Sequence, residues 1–365
     1  MHDLLGHDHA IWALLYSDDG WLIGRSKCFE YDLLLALFVL ILVKATLAWH
    51  KVKGGVESDR IGYALDVGRF ASGRSEARCM WAQRWIDDKV RERRVRLGEL
   101  RDGLGRLQFI AEPLEHVRPF LGPLYAWACA GRRWARPRMP VMILFIFKFI
   151  GEEFRRCRMS ECPRRAKDIG EVFRFGAKAE GEEVAIGGWR CLGAARTEDA
   201  DCLAVRLNHR NAPWAFARGE EFRTIASLEL LGALVGLMVL VSLDLLQGEA
   251  VGTATFTCGT DNQGNSYLLD KLLMTKFPLG VVLKDLACQS SRRRSALRAR
   301  WIRRLQNEEA DALTNSDFRH FRKERRIEVK LEELEFVVMN RLFEEGELYV
   351  QELEKLKAEE KAAGQ

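Results

Sequence analysis

Five acids stand in settings where a carboxylate could do chemistry. Glu229 opens an apolar run, Ser227-Leu228-Glu229-Leu230-Leu231, where a charge is costly unless it is used. Asp261 lies in Thr260-Asp261-Asn262-Gln263-Gly264-Asn265, at the end of a β-branched, small-residue stretch that reads as a strand. Asp311 lies in Asn307-Glu308-Glu309-Ala310-Asp311-Ala312-Leu313-Thr314-Asn315, at the start of a short helical segment. Asp18 and Asp19 are adjacent in the turn Tyr16-Ser17-Asp18-Asp19-Gly20. Carboxylates that converge from separate elements hold hard cations such as Mg2+, which prefers oxygen ligands. Two such ions about 4 Å apart stabilise the attacking and leaving oxygens of phosphoryl transfer. Each acid also has a plainer reading. Helix starts favour acids through capping and the helix dipole. Asp-Asn closes a strand in a simple turn, and Asp-Asp-Gly suits any hairpin.

A basic surface accompanies the acids. Arg292, Arg293, Arg294, Arg298, Arg300, Arg303 and Arg304 flank and line the last strand-like segment, with Trp301 among them. Such a density of guanidinium groups neutralises a phosphate backbone, and an aromatic can stack on a base. The plainer reading is a solvated face with a core tryptophan. Asn262 could reach a sugar or base edge, or cap the helix that follows it.

The elements that must position these groups follow from periodicity and turn chemistry. Residues 11–15 and 21–24 read as a hairpin, and an apolar helix follows over 31–49. A short strand spans 61–67. Helices are expected over 77–90, 97–107 and 141–156, with Pro113, Pro119 and Pro123 breaking the chain into turns between them. The polar, basic stretch 164–170 marks a domain boundary. Beyond it come strands at 172–177, 185–191 and 202–207, a helix at 227–246, and a strand at 253–260. Helices at 267–275 and 279–287, a strand at 297–302 and a helix at 307–314 complete the series. The tail, 322–361, reads as a charged helix interrupted at Gly346, with Leu331, Leu334, Val338 and Leu342 on one face.

Three strands, helix, strand, helices, strand, helix is the succession of an RNase H domain. With Glu229, Asp261 and Asp311 in that order, residues 171–315 resemble the RNase H domain of retroelement reverse transcriptases. The resemblance implies four metal-binding acids, from the first strand, the first helix, the end of the fourth strand and the last helix. Val172-Phe173-Arg174-Phe175-Gly176-Ala177 resembles the opening strand, but Gly176 stands where the family has an Asp. Tyr16-Ser17-Asp18-Asp19 resembles the polymerase hairpin of the same family. Trp49-His50-Lys51, Gly54-Gly55 and Ile61-Gly62-Tyr63 resemble the palm segment after it, which implies a place for Lys51 near the leaving pyrophosphate. Gly103-Leu104-Gly105-Arg106-Leu107-Gln108-Phe109 and Arg118-Pro119-Phe120-Leu121-Gly122-Pro123-Leu124-Tyr125 resemble its thumb and connection. The fingers and the earlier palm acid are expected upstream of Met1.

The expected architecture is α+β: a truncated palm (1–75), a helical thumb/connection-like region (76–168), an RNase H-like mixed-sheet domain (169–317) and a charged C-terminal helical tail (318–365). The resemblance implies a two-Mg2+ site on Glu229, Asp261 and Asp311, metal ligation by Asp18 and Asp19, and an RNA–DNA hybrid or other nucleic acid as partner. Nucleic-acid contacts are expected from Lys51, Asn262, Arg298, Arg300, Arg303 and Arg304, and a helix-mediated contact from the tail. RNA-directed polymerisation and hybrid cleavage are expected by descent, weak or lost because the upstream palm and the first-strand acid are missing. The alternative is a non-catalytic nucleic-acid-binding remnant.

Composition agrees with a folded chain: 365 residues, 48% hydrophobic and 30% charged, with a formal net charge of +5. The apolar runs 33–43 and 228–243 are shorter than the ~20 residues that span a bilayer, and Met1–Ala10 does not form a secretory signal. Nine cysteines without a repeated spacing suit free thiols in a reducing, cytoplasmic or nuclear compartment. Cys157 and Cys162 lack a second ligand pair for zinc. His2, His7 and His9 read as a frayed terminus.

Overall fold

A computed structural model describes residues 11–16, 19–24, 29–46, 48–52, 54–60, 63–66, 68, 71–156, 159–161, 167–194, 196–216, 224–246 and 254–363. Ser17, Asp18, Cys157, Cys162 and the three N-terminal histidines lie outside them. The chain forms two compact units, Met1–Gly55 and Val56–Gln365.

In the first unit, β1 (Ile11–Tyr16) pairs antiparallel with β2 (Asp19–Gly24), with Tyr16 opposite Asp19 at the turn. The helix α1 (Phe29–Leu42) stops well short of Trp49. Lys44 adopts φ 54°, its N–H donates to the Ile41 carbonyl, and the Ala45 N–H donates to the Leu40 carbonyl. These two bonds close the helix end as a Schellman motif, which apolar periodicity cannot announce.

The second unit begins with a four-stranded sheet, β3 (Glu57–Arg60), β4 (Tyr63–Asp66), β5 (Ala71–Arg74) and β6 (Met159–Glu161), all antiparallel. The single strand expected at 61–67 is thus one member of a sheet whose other strands are too short and polar to show a period. Helices α2 (Glu76–Glu92), α3 (Leu97–Ala111), α4 (Arg118–Ala128) and α5 (Val141–Arg156) follow. Pro119 and Pro123 do not break the chain as expected. Pro119 occupies the first turn of α4, where its missing donor is harmless, and Pro123 lies inside the helix. Near-complete burial of that helix outweighs the one lost backbone bond, since each buried Phe or Leu contributes about 2 kcal/mol.

The five-stranded sheet has the order β11-β10-β7-β8-β9. Its first three strands in the chain, β7 (Lys167–Glu180), β8 (Glu183–Arg190) and β9 (Cys202–Leu207), form an antiparallel meander. β10 (Ala254–Thr260) and β11 (Ser295–Trp301) then add on the other side of β7, parallel to it and to each other. Alternation along β7 assigns its faces. Phe173 and Phe175 meet α6 (Ile225–Val239) where Gly236 and Gly232 leave room: a Cβ on Gly236 would stand 2.5 Å from the Phe173 ring. Gly176, on the opposite face, meets α9 (Glu308–Thr314).

The helix expected over 227–246 ends at Val239, and Leu243–Leu246 forms a separate turn. Arg293 closes the end of α6 by donating to the Met238 and Val241 carbonyls at 3.2 and 3.3 Å. It therefore leaves the basic surface to which its neighbours were assigned. α7 (Gln263–Lys271) starts four residues before the expected Tyr267 because the Asn262 side chain accepts from the Asn265 N–H. α8 (Leu279–Arg292) matches expectation at its start.

The tail departs most. Residues before Val338 are not a continuous helix: Arg326 pairs with Cys202, and the Ile327 N–H donates to the Cys202 carbonyl, along the open edge of β9. The helix α10 (Met339–Ala363) begins where buried Asp285 accepts from the Val338 and Met339 N–H groups, both at 2.8 Å. It runs through Gly346 uninterrupted, because the Phe277 ring packs onto that position. Leu342, Tyr349 and Leu356 are buried within the chain, and the Tyr349 hydroxyl donates to the Pro123 carbonyl. The apolar face expected to meet a partner is thus satisfied internally. No helix among the described residues is long and apolar enough to cross a membrane.

Candidate active site and its basic rim

The acids come to one end of the sheet from three elements. Glu229 lies in the second turn of α6, on the stripe that continues through Gly232 and Gly236, so it faces the sheet and is buried. The Thr260 hydroxyl donates to the Glu229 carboxylate at 3.4 Å. Asp261 follows β10 directly, and the Trp301 indole N–H donates to its carbonyl at 3.1 Å, fastening the ends of β10 and β11 together. Asp311 projects from α9. A Cβ built on Gly176 would lie 3.4 Å from the Asp311 Oδ1, so β7 presents its glycine to that carboxylate.

The charges of these acids act on one another. Burial pushes the Glu229 carboxyl up to about 8, and the charges of Asp261 and then Asp311 add to the rise against hydrogen bonds from Asn262 and Thr260. Burial also raises Asp311, opposed by the Arg304 guanidinium, which donates to its Oδ2 at 3.2 Å.

These side chains do not fit a pair of divalent ions. Such a site needs several free carboxylates around each metal. Among the described residues no group of three or more His, Cys, Asp and Glu side chains is placed to hold an ion. Gly176 offers no ligand, and an arginine already engages Asp311.

Arg298 and Arg300 point from one face of β11, and both are exposed. Arg300 pairs with Glu171, as does Arg174. Arg298 and Arg303 have no ion pair among the described residues. Asn262 serves as the cap of α7, and its side chain acts to lower the Glu229 carboxyl against the effect of burial. Asp18 lies outside the described residues, and of Asp19 and Lys51 only the backbone is described, in β2 and in a turn at Trp49–Lys51. The hairpin and Lys51 belong to the first unit, the acid cluster to the second.

Three positioning residues escaped sequence reasoning. Buried Asn307 donates to the Phe175 carbonyl at 2.9 Å and so sets α9 against β7, with Asp311 over Gly176. Asn265 donates to the Ala226 carbonyl at 2.9 Å, tying α7 to the start of α6. Arg174 donates to the Gln306 carbonyl at 2.6 Å. Only the first carried a signal, an Asn before Glu308-Glu309, and that signal reads as a helix cap.

An antiparallel meander flanked by two parallel strands, with α6 on one face and α9 on the other, settles the fold class. The fold is RNase H-like. No family model matches the chain, and no curated protein does. Solved structures similar to it include RNase H1 from the archaeon Halobacterium salinarum NRC-1, at 18% identity, 40% of this chain, 97% of that one and a TM-score of 0.24. The N-terminal RNase H domain of a Mycobacterium tuberculosis protein matches at 16% identity, 42% of this chain, 94% of that one and a TM-score of 0.24. A foamy viral protease-reverse transcriptase in complex with dsDNA matches at 13% identity, over 83% of this chain and 56% of that one, with a TM-score of 0.32. The chain spans about half the length of that viral protein. It is the strand order and the placement of α6 and α9, independent of these distant matches, that define the RNase H-like part.

Proposed function

We propose that this chain descends from a retroelement reverse transcriptase/RNase H, that it binds an RNA–DNA hybrid or a related duplex, and that hydrolysis by its acid cluster is weak or absent. One observation carries the reading: the first-strand position facing Asp311 is Gly176, and Arg304 supplies the cluster's nearby positive charge. A guanidinium paired with one carboxylate neutralises charge but cannot polarise a water or a leaving oxygen as a divalent ion does. Binding has separate support. Arg298 and Arg303 are exposed and without an ion pair among the described residues, so each can release a counterion from a phosphate backbone.

Residues 1–75 correspond in this reading to part of a palm, 76–168 to a thumb/connection-like region and 169–317 to the RNase H-like domain, with 318–365 as tail. The Asp18–Asp19 hairpin and Lys51 would serve polymerisation in an intact relative, with Mg2+ as the metal. A cytoplasmic or nuclear location suits a nucleic-acid partner and the free thiols among the described residues. The test is duplex binding by the full chain with and without EDTA. Affinity for an RNA–DNA hybrid that is unchanged by EDTA supports the reading. Affinity that collapses on chelation overturns it.

A further inference from the structure

Away from the acid cluster, α2, α3 and the loop before α5 enclose a groove of about 580 Å3. We propose that it binds an unpaired nucleotide of a single strand, with the base against tryptophan and the phosphate against arginine.

The aromatic wall is built rather than incidental. The Trp81 and Trp85 rings are stacked, with centroids 5.8 Å apart and planes 16° from parallel. Gly103 makes room for Trp85: a Cβ there would fall 2.1 Å from the indole. Phe147 packs edge-on against the same ring at 5.6 Å. Trp134 stands 70% exposed on the loop. That loop is fixed to the first turn of α3, whose Gly98 and Leu97 N–H groups donate to the Arg133 and Ala135 carbonyls at 2.7 and 3.0 Å. The exposed indole therefore sits on an anchored segment.

Charge selects the class of ligand. Both acids of the lining are already matched, Glu99 by Lys89 and Asp102 by Arg133. Arg96 and Arg106 are exposed and have no carboxylate partner among the described residues, and the Arg106 guanidinium lies 5.4 Å from the Trp81 ring centre. The exposed Trp134 indole, in a groove also lined by Arg96 and Arg106, suits a base joined to an anion. Every base offers a π face, so such a site is tolerant of sequence. A duplex keeps its bases stacked on one another and cannot use these faces, which assigns the groove to single strands.

This site is independent of the acid cluster and its basic rim. Its test is fluorescence anisotropy of the full chain with a labelled oligothymidylate of about 12 nucleotides, compared with an RNA–DNA hybrid. Trp134→Ala, at an exposed position, is expected to weaken oligothymidylate binding about tenfold. Arg106→Gln is expected to weaken it severalfold and to lower the salt slope by about 0.7. Both variants leave hybrid affinity unchanged, whereas Arg298→Gln lowers hybrid affinity alone. Unaltered oligothymidylate affinity in Trp134→Ala overturns the proposal, as does an equal loss on both ligands. Failure of Arg298→Gln to affect the hybrid counts against the duplex-binding reading and leaves this site standing.

Discussion

Gly176 and Asp311 face each other across the packing of β7 and α9, with 3.4 Å between the Asp311 Oδ1 and the point where a Cβ on Gly176 would lie. That contact is of ordinary van der Waals length, so a Cβ fits at this position. Gly176→Asp would place a second carboxylate beside Asp311, and without a cation the two repel. The variant is expected to melt a few degrees below the parent in EDTA and to recover on addition of Mn2+, whereas the parent shows little response to Mn2+. Thermal scans of both proteins with and without the metal check this. Equal responses would count against the assignment of Gly176 as the missing ligand position.

The basic rim makes a graded prediction. Arg298→Gln and Arg303→Gln each remove a charge with no ion-pair partner among the described residues and should lower the salt slope of hybrid binding by about 1. Arg304→Gln should lower it by less, because its charge is already engaged by Asp311. A salt titration of the three variants distinguishes them. A full unit lost with Arg304→Gln would mean that the Asp311 pair opens on binding.

Acid stability should depend on Glu153. Burial raises its carboxyl, but hydrogen bonds from His116 and Arg156 outweigh burial and hold it down at about 2, against an ordinary value of 4.5. Its stabilisation is therefore complete above about pH 4.5 and is lost as pH falls toward 2. A depression of this size corresponds to roughly 3 kcal/mol. Glu153→Gln should flatten the loss of stability between pH 4.5 and 2, as read from urea midpoints across that range. An unchanged acid slope would contradict the pairing.

Gly346 sets two effects against each other. Helix propensity favours Gly346→Ala by about 1 kcal/mol. A methyl group there would meet the Phe277 ring at 2.2 Å, and overpacking of this kind costs about 1–3 kcal/mol. Net destabilisation is expected in denaturant unfolding. A gain in stability would show that Phe277 moves aside freely.

Much of this architecture is legible in the residues, and the reasons differ from part to part. The strands β7 to β10 show because buried β-branched and aromatic runs are bounded by Gly and polar residues. Glu229, Asp261 and Asp311 show because an acid at the start or end of an apolar element is conspicuous. Other features depend on distant partners. Gly346 reads as a helix break until Phe277 is seen to need the space, and Pro123 reads as a turn until α4 is seen to be buried. Arg293 reads as part of a basic surface, yet the α6 carbonyls take it inward. Lys44 ends α1 through a left-handed conformation that no apolar pattern marks. Asn307, which holds Asp311 over Gly176, looks like a simple helix cap. Of the polymerase-like hairpin, Asp18 lies outside the described residues, and its role stays with the resemblance that suggested it.

The role proposed for this RNase H-like fold is binding without efficient cutting. It is tested most directly by incubating the full chain with an end-labelled RNA–DNA hybrid and Mg2+ or Mn2+, alongside Asp261→Asn. The hybrid is expected to be bound, and RNA scission by the parent is expected not to exceed that of the variant. Scission by the parent that Asp261→Asn abolishes would contradict it.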